Sequence, residues 1–167
     1  MLATPERSAL TQSEAGAPPA PVDVGCRIAL GFDCGRIRIG VAIGEAITGA
    51  ARPLAILSAR QHQPNWDALA RLLTEWRPDW LVVGVPRHAD ASASASTLAA
   101  LRFSRQLHGH FRLPVATVDE RLSSWEAEQR YNAMPTAERR RQRTAGLDAG
   151  AAAVILETWF QQRRSLC

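Results

Sequence analysis

A chain of 167 residues is long enough to bury one sizeable core and leaves little room for a second domain. Nearly half of its residues are apolar and about a fifth are charged, the balance of a globular protein, and no apolar run is long enough to span a bilayer. The net charge is +4 with all 20 basic residues arginine, and three scattered cysteines (Cys26, Cys34, Cys167) without C-x-x-C spacing argue against a disulfide framework or a structural zinc site.

Residues 1–24 hold Pro5, Pro18, Pro19 and Pro21 among many Ala, Ser and Thr, and are expected to form a disordered tail. The start lacks a charged-then-apolar leader pattern, so a cytoplasmic location is the expectation. The folded domain is expected over 25–167. Two apolar stretches, 27–33 and 38–44, flank a turn containing Gly35, and predict an antiparallel hairpin. A third strand is predicted over 52–57. The period then changes. Pro64-Asn65 opens a helix through Trp66, Leu69, Leu72, Leu73 and Trp76, spaced three and four apart, and Pro78 ends it. Trp80 to Val85 is a continuous apolar run, as a buried parallel strand requires. A loop from Pro86 to about Ser94 leads to a helix reaching His108. Residues 115–118 form a short strand ending in Asp119-Glu120-Arg121. A helix is expected around 124–131, then a basic stretch, then a long helix over about 147–162. Strands first, followed by alternating helix and strand, predict an α/β fold: a mixed sheet with helices packed on it.

Three acids stand at element ends: Asp33 closes the first strand, Glu120 follows the last, and Asp148 opens the last helix. Asp148 shares its helix row with Ala151, Ala152, Ile155, Leu156 and Trp159, the apolar face that must meet the sheet. Each acid also has a plainer role. Asp33 suits a turn, Asp148 suits a helix N-terminus, and Asp119-Glu120-Arg121 suits a surface ion pair. Convergence would change that. Carboxylates brought together repel unless a cation lies between them, and hard ions such as Mg2+ or Mn2+ prefer oxygen ligands. Such ions activate water against a phosphodiester. The histidines, His62, His88, His108 and His110, are scattered and form no competing cluster. Arginine grips phosphate in a bidentate fork, so the basic surface suits nucleic acid; gene base composition accounts for an all-arginine set equally well.

Four blocks carry a resemblance: Gly31-Phe32-Asp33-Cys34-Gly35-Arg36-Ile37-Arg38-Ile39-Gly40-Val41-Ala42, Val82-Val83-Gly84-Val85-Pro86, Val118-Asp119-Glu120-Arg121-Leu122-Ser123, and Leu147-Asp148-Ala149-Gly150-Ala151-Ala152. In order and spacing they resemble the YqgF (RuvX) family over about 27–162. The resemblance implies a ribonuclease H-like fold with a five-stranded mixed sheet and flanking helices. It implies a metal-dependent nuclease that matures the 5′ end of pre-16S ribosomal RNA in ribosome biogenesis, or a Holliday junction resolvase-like nuclease acting on DNA. Asp33, Glu120 and Asp148 match the family's acidic positions, as catalytic residues and ligands of Mg2+ or Mn2+. Arg36 and Arg38 beside Asp33, together with Arg121, Arg139, Arg140, Arg141 and Arg143, are the expected contacts to the nucleic-acid backbone. Structured nucleic acid, with ribosomal RNA precursor favoured, is the implied partner, alongside ribosome-associated partners and no membrane. The sequence leaves the oligomeric state open.

One block departs from the family. After Gly84-Val85-Pro86 the family pattern is close to Leu-Asn-Met-Asp-Gly, whereas this chain has Arg87-His88-Ala89-Asp90-Ala91. Alanine in place of glycine disfavours a left-handed turn there. A nucleic-acid or ribosome-assembly binding protein without catalysis is therefore a competing reading. A sugar-kinase or actin-like ATPase shares the Asp-x-Gly turn, but such folds need two domains and this chain is too short for them.

Overall fold

Seven residues from Ile28 to Cys34 form strand β1, and nearly all of them are buried on both sides, which places this strand at the centre of a sheet. The chain continues through β2 (Arg38–Glu45), β3 (Ala50–Arg60), β4 (Gln63–Pro64), α1 (Trp66–Trp76), β5 (Trp80–Val85), α2 (Ala95–Phe111), β6 (Val115–Asp119) and α3 (Leu147–Arg164). The computed structural model describes residues 26–87, 94–120, 133, 135–137 and 147–164, with Leu147 and Asp148 described by backbone alone. The tail expected over 1–24, the helix expected over 124–131 and the basic stretch after it lie outside the described residues.

The sheet order is β4-β3-β2-β1-β5-β6. β1 pairs antiparallel with β2 and parallel with β5, and β5 pairs parallel with β6. This is the mixed sheet expected, with six strands rather than five. The extra strand is the two-residue β4, which pairs Ala59 with Pro64 and Arg60 with Gln63. Proline at an outermost strand costs no ladder bond, so Pro64 ends the sheet, and Asn65 caps α1 by accepting the N–H of Ala68 at 3.2 Å. β3 is also longer than expected at both ends, because pairing with β2 continues past its apolar centre to Ser58.

Strand parity divides the core in two. Leu30, Phe32, Ile39, Val41, Leu81 and Val83 face α1 and α2. Phe32 meets Phe103 of α2 edge-on at 5.7 Å. Ala29, Val82 and Val118 face α3 and pack on Ile155, Leu156, Trp159 and Phe160. Each fully buried large apolar side chain contributes about 1.5–3 kcal/mol. The far end of α3 is fastened by Arg163, whose guanidinium lies 4.6 Å from the Trp80 ring and 4.5 Å from the Trp159 ring. The carboxylate of Asp79 accepts the N–H groups of Arg27 at 2.8 Å and Ile28 at 3.0 Å, which ties down the start of β1.

Helix α2 begins with a reciprocal cap. Ser94 accepts the N–H of Thr97, and Thr97 accepts the N–H of Ser94 at 3.0 Å. The fully buried Thr97 hydroxyl also donates to the carbonyl of Pro86, the residue after β5. Among the described residues no helix is long and apolar enough to cross a membrane.

Candidate active site

The same parity places the acids. On β1, Ala29 packs under α3, and a Cβ added at Gly31 would lie 2.8 Å from the carbonyl oxygen of Ala152. Asp33 is the next residue on that face. On β6, Val118 faces α3, and Glu120 is the next residue on that side. Strands β1, β5 and β6 all run the same way, so Asp33 and Glu120 emerge at one end of the sheet.

Helix α3 runs in the opposite direction. Ala152 lies on Gly31, while Trp159 contacts Trp80 at the start of β5, with ring centroids 5.4 Å apart. Its N-terminus therefore sits at the end of the sheet where Asp33 and Glu120 emerge. The backbone of Asp148, one turn ahead of Ala152, belongs to that end. Close approach here depends on Gly31, whose missing side chain lets the helix backbone touch the strand.

Asp33 and Glu120 share a hydrogen bond, which requires a proton between two carboxyl groups. Burial, then the charge of Asp33, then that hydrogen bond, and finally the charge of Asp119 push the Glu120 carboxyl up to about 8. Beneath them the Cys34 thiol is pushed up to about 12 by burial first, then by Asp33 and Glu120, so it stays protonated and inert at neutral pH. Two oxygen-donor acids that must borrow a proton to coexist are a fitting place for a divalent cation. Among the described residues, no three metal-ligating side chains gather; Asp33 and Glu120 meet as a pair, and the description of Asp148 stops at its backbone.

Glu120 is wedged against β5. A Cβ at Gly84 would lie 2.6 Å from Glu120 Oε1 and would overlap Ile155 Cδ1. Both are ends of flexible side chains, so Gly84→Ala is expected to lower stability only moderately, by about 1–2 kcal/mol, by displacing them. A carboxylate moved by about 1 Å costs roughly 100-fold in rate. Comparing melting temperature with cleavage rate for Gly84→Ala checks this, and parallel losses in both would contradict it.

Arg36 and Arg38 are exposed at the turn between β1 and β2, beside Asp33. Arg121, Arg139, Arg140, Arg141 and Arg143 lie outside the described residues, as do His88, Ala89, Asp90 and Ala91 of the divergent loop. Gly31 and Gly84 are isolated glycines inside apolar strands, a pattern that signals close approach, and both bear on the site in that way.

A family model described as RuvX, Holliday junction resolvase, matches residues 27–162. The chain belongs to the RuvX family. Among relatives of this RuvX chain, a protein of Nitrosococcus oceani is 44% identical over 140 residues, covering 84% of this chain and 90% of its own. One of Azotobacter vinelandii is 47% identical over 139 residues, covering 83% and 96%. Both bear the provisional name pre-16S rRNA nuclease. Among solved structures, the fowlpox virus resolvase with its Holliday junction DNA matches at a TM-score of 0.50 and 13% identity, covering 81% of this chain and 97% of that one. That likeness concerns the fold, which is ribonuclease H-like.

Proposed function

We propose that this RuvX-family nuclease hydrolyses phosphodiester bonds in the precursor of 16S ribosomal RNA, in the cytoplasm, with Asp33, Glu120 and Asp148 as its acidic centre. The carrying observation is the pairing of Asp33 with Glu120 at the sheet end where α3 begins. The provisional name of the relatives supports the choice of RNA. These three acids would hold Mg2+ or Mn2+, which supplies water activation and neutralises charge at the scissile phosphate. The chain's own groups do the rest. Glu120, half-buried against Gly84, presents its carboxyl to Asp33. Arg36 and Arg38 bind the phosphates that two acids alone would repel.

The test is a cleavage assay of a labelled 16S precursor and a four-way DNA junction, each with magnesium and with chelator. Magnesium-dependent trimming of the RNA is the expected result. Preferential cutting of the junction would transfer the role to DNA, in line with the family description. Chelator-resistant binding with no cleavage of either would overturn the reading.

The raised Glu120 carboxyl also has a consequence for stability. Folded protein holds a proton there that the unfolded chain releases near pH 4.5, so the contribution of Glu120 to metal-free stability is complete below that pH and is lost as pH rises to about 8. After discounting for partial solvent contact, the loss is on the order of 2–4 kcal/mol. Magnesium should therefore raise the melting temperature strongly at about pH 8.5 and barely at about pH 5. Equal gains at both would count against a shared carboxylate site.

A further inference from the structure

Strand β3 carries an arginine that no motif singled out. Arg38 of β2 pairs with Ser58, and Gly40 pairs with both Asp33 and Ile56. Leu57 and Ala59 face the cluster under α1, so Ser58 and Arg60 lie on the face of Asp33 and Glu120. α3 meets β3 near its start, where Glu157 accepts the N–H of Ala51 at 3.0 Å. At the other end Ser58 and Arg60 are exposed.

The turn after β3 is fastened to the turn after β1. Ala59 N–H donates to the Ile37 carbonyl at 2.8 Å, and His62 N–H donates to the Arg36 carbonyl at 3.0 Å. Gln61 and His62 hold left-handed backbone, with φ of 48° and 66°. Two successive non-glycine residues in that region cost about 1–3 kcal/mol each, and persist where surroundings dictate them. The joined turns border an open hollow of about 630 Å³ lined by Arg36, Ile37, Ala59, Arg60 and Gln61. Ile37 is 63% exposed there.

We propose that this hollow is a second backbone-binding subsite for the nucleic-acid strand, with Arg60 as its outer phosphate contact. The inference rests on the nuclease reading and extends its substrate path. Ile56 of β3 lies directly across from Asp33 at two strand spacings, about 10 Å, and Arg60 is four residues further along the strand, which puts it about 17 Å from Asp33. Phosphates advance by about 3.4 Å of axis per nucleotide, so Arg60 meets the strand about five nucleotides from the cut. Arg36 and Arg38 fill the interval, and Ile37 offers an apolar surface to a sugar or base.

The test uses full-length protein and a fluorescein-labelled RNA spanning the 5′ end of 16S, with binding measured by anisotropy across a salt series in chelator. Arg60→Ala should weaken binding about tenfold, and the log–log salt slope should become shallower by about 0.7–0.9. Arg60→Lys should recover the slope. Arg105→Ala, an exposed change on α2 against the opposite face, should alter neither. RNA trimmed to under about five nucleotides on the hollow side should bind wild type and Arg60→Ala alike. Unchanged affinity and slope in Arg60→Ala, at unchanged melting temperature, would overturn the subsite. Wild-type cleavage separates the two ideas. If it is present while Arg60→Ala binds normally, the subsite alone fails; if it is absent while Arg60→Ala binds weakly, the nuclease reading alone fails.

Discussion

Asp33→Asn should lower magnesium-dependent cleavage by roughly a thousandfold or more while leaving the fold intact. The substitution keeps the size of the side chain and removes its charge. Asp33 contributes both charge and a hydrogen bond to the raised Glu120 carboxyl, so Glu120 should move back toward the ordinary carboxylate range, with the share due to burial remaining. The asparagine amide can donate to Glu120 without a shared proton. In chelator the variant should therefore melt at or above the wild-type temperature, and magnesium should no longer raise it. This pairing of lost activity with retained stability separates a charged centre from a structural turn aspartate, whose loss would lower stability first. Cleavage within a few-fold of wild type would remove Asp33 from the chemistry.

Gly31→Val should be the most damaging single change to stability. The added Cβ would fall 2.8 Å from the Ala152 carbonyl oxygen and 2.9 Å from Leu156 Cβ. Neither can swing aside, because one is backbone and the other is the first carbon of its side chain. The helix must lift from a central strand and loosen its contacts with Ala29 and Val82. Overpacking of this kind costs about 1–3 kcal/mol, and the branched residue belongs at or above the upper end. At about 2–4 °C per kcal/mol for a domain of this size, the melting temperature should fall by roughly 10 °C. Gly31→Ala should fall about half as far. Cleavage should drop even at temperatures where the variant is folded, since α3 carries Asp148. A Gly31→Ala protein melting with the wild type would show that the helix does not rest on this glycine.

Much of this fold was legible because its strands are short apolar runs at clear boundaries. The hairpin, the parallel β5 and the long final helix follow from period and punctuation. The pairing of Asp33 with Glu120 was legible for a related reason: each acid ends a strand, and parallel neighbours finish together. Cross-strand register was not legible. Nothing within β3 alone says that Ser58 stands beside Arg38, or that Arg60 shares a face with Asp33, because register belongs to the pair of strands. Asp79 was unreadable for the same reason, since its partners lie 52 and 51 residues away. β4 was hidden because a two-residue strand containing proline carries no pattern.

The Thr97 hydroxyl, buried and bonded to the carbonyl of Pro86, bears on the segment where this chain leaves its family's pattern. It joins the exit of β5 to the entrance of α2 without using any side chain from between them. The two ends of the intervening segment are thereby held together, whatever lies between them. Changes of sequence between those ends need not disturb the strand carrying Gly84 or the Glu120 carboxyl resting on it. Closure entropy grows slowly with loop length, about 0.6 kcal/mol per doubling, so residues can be inserted or deleted between these fixed ends at little cost.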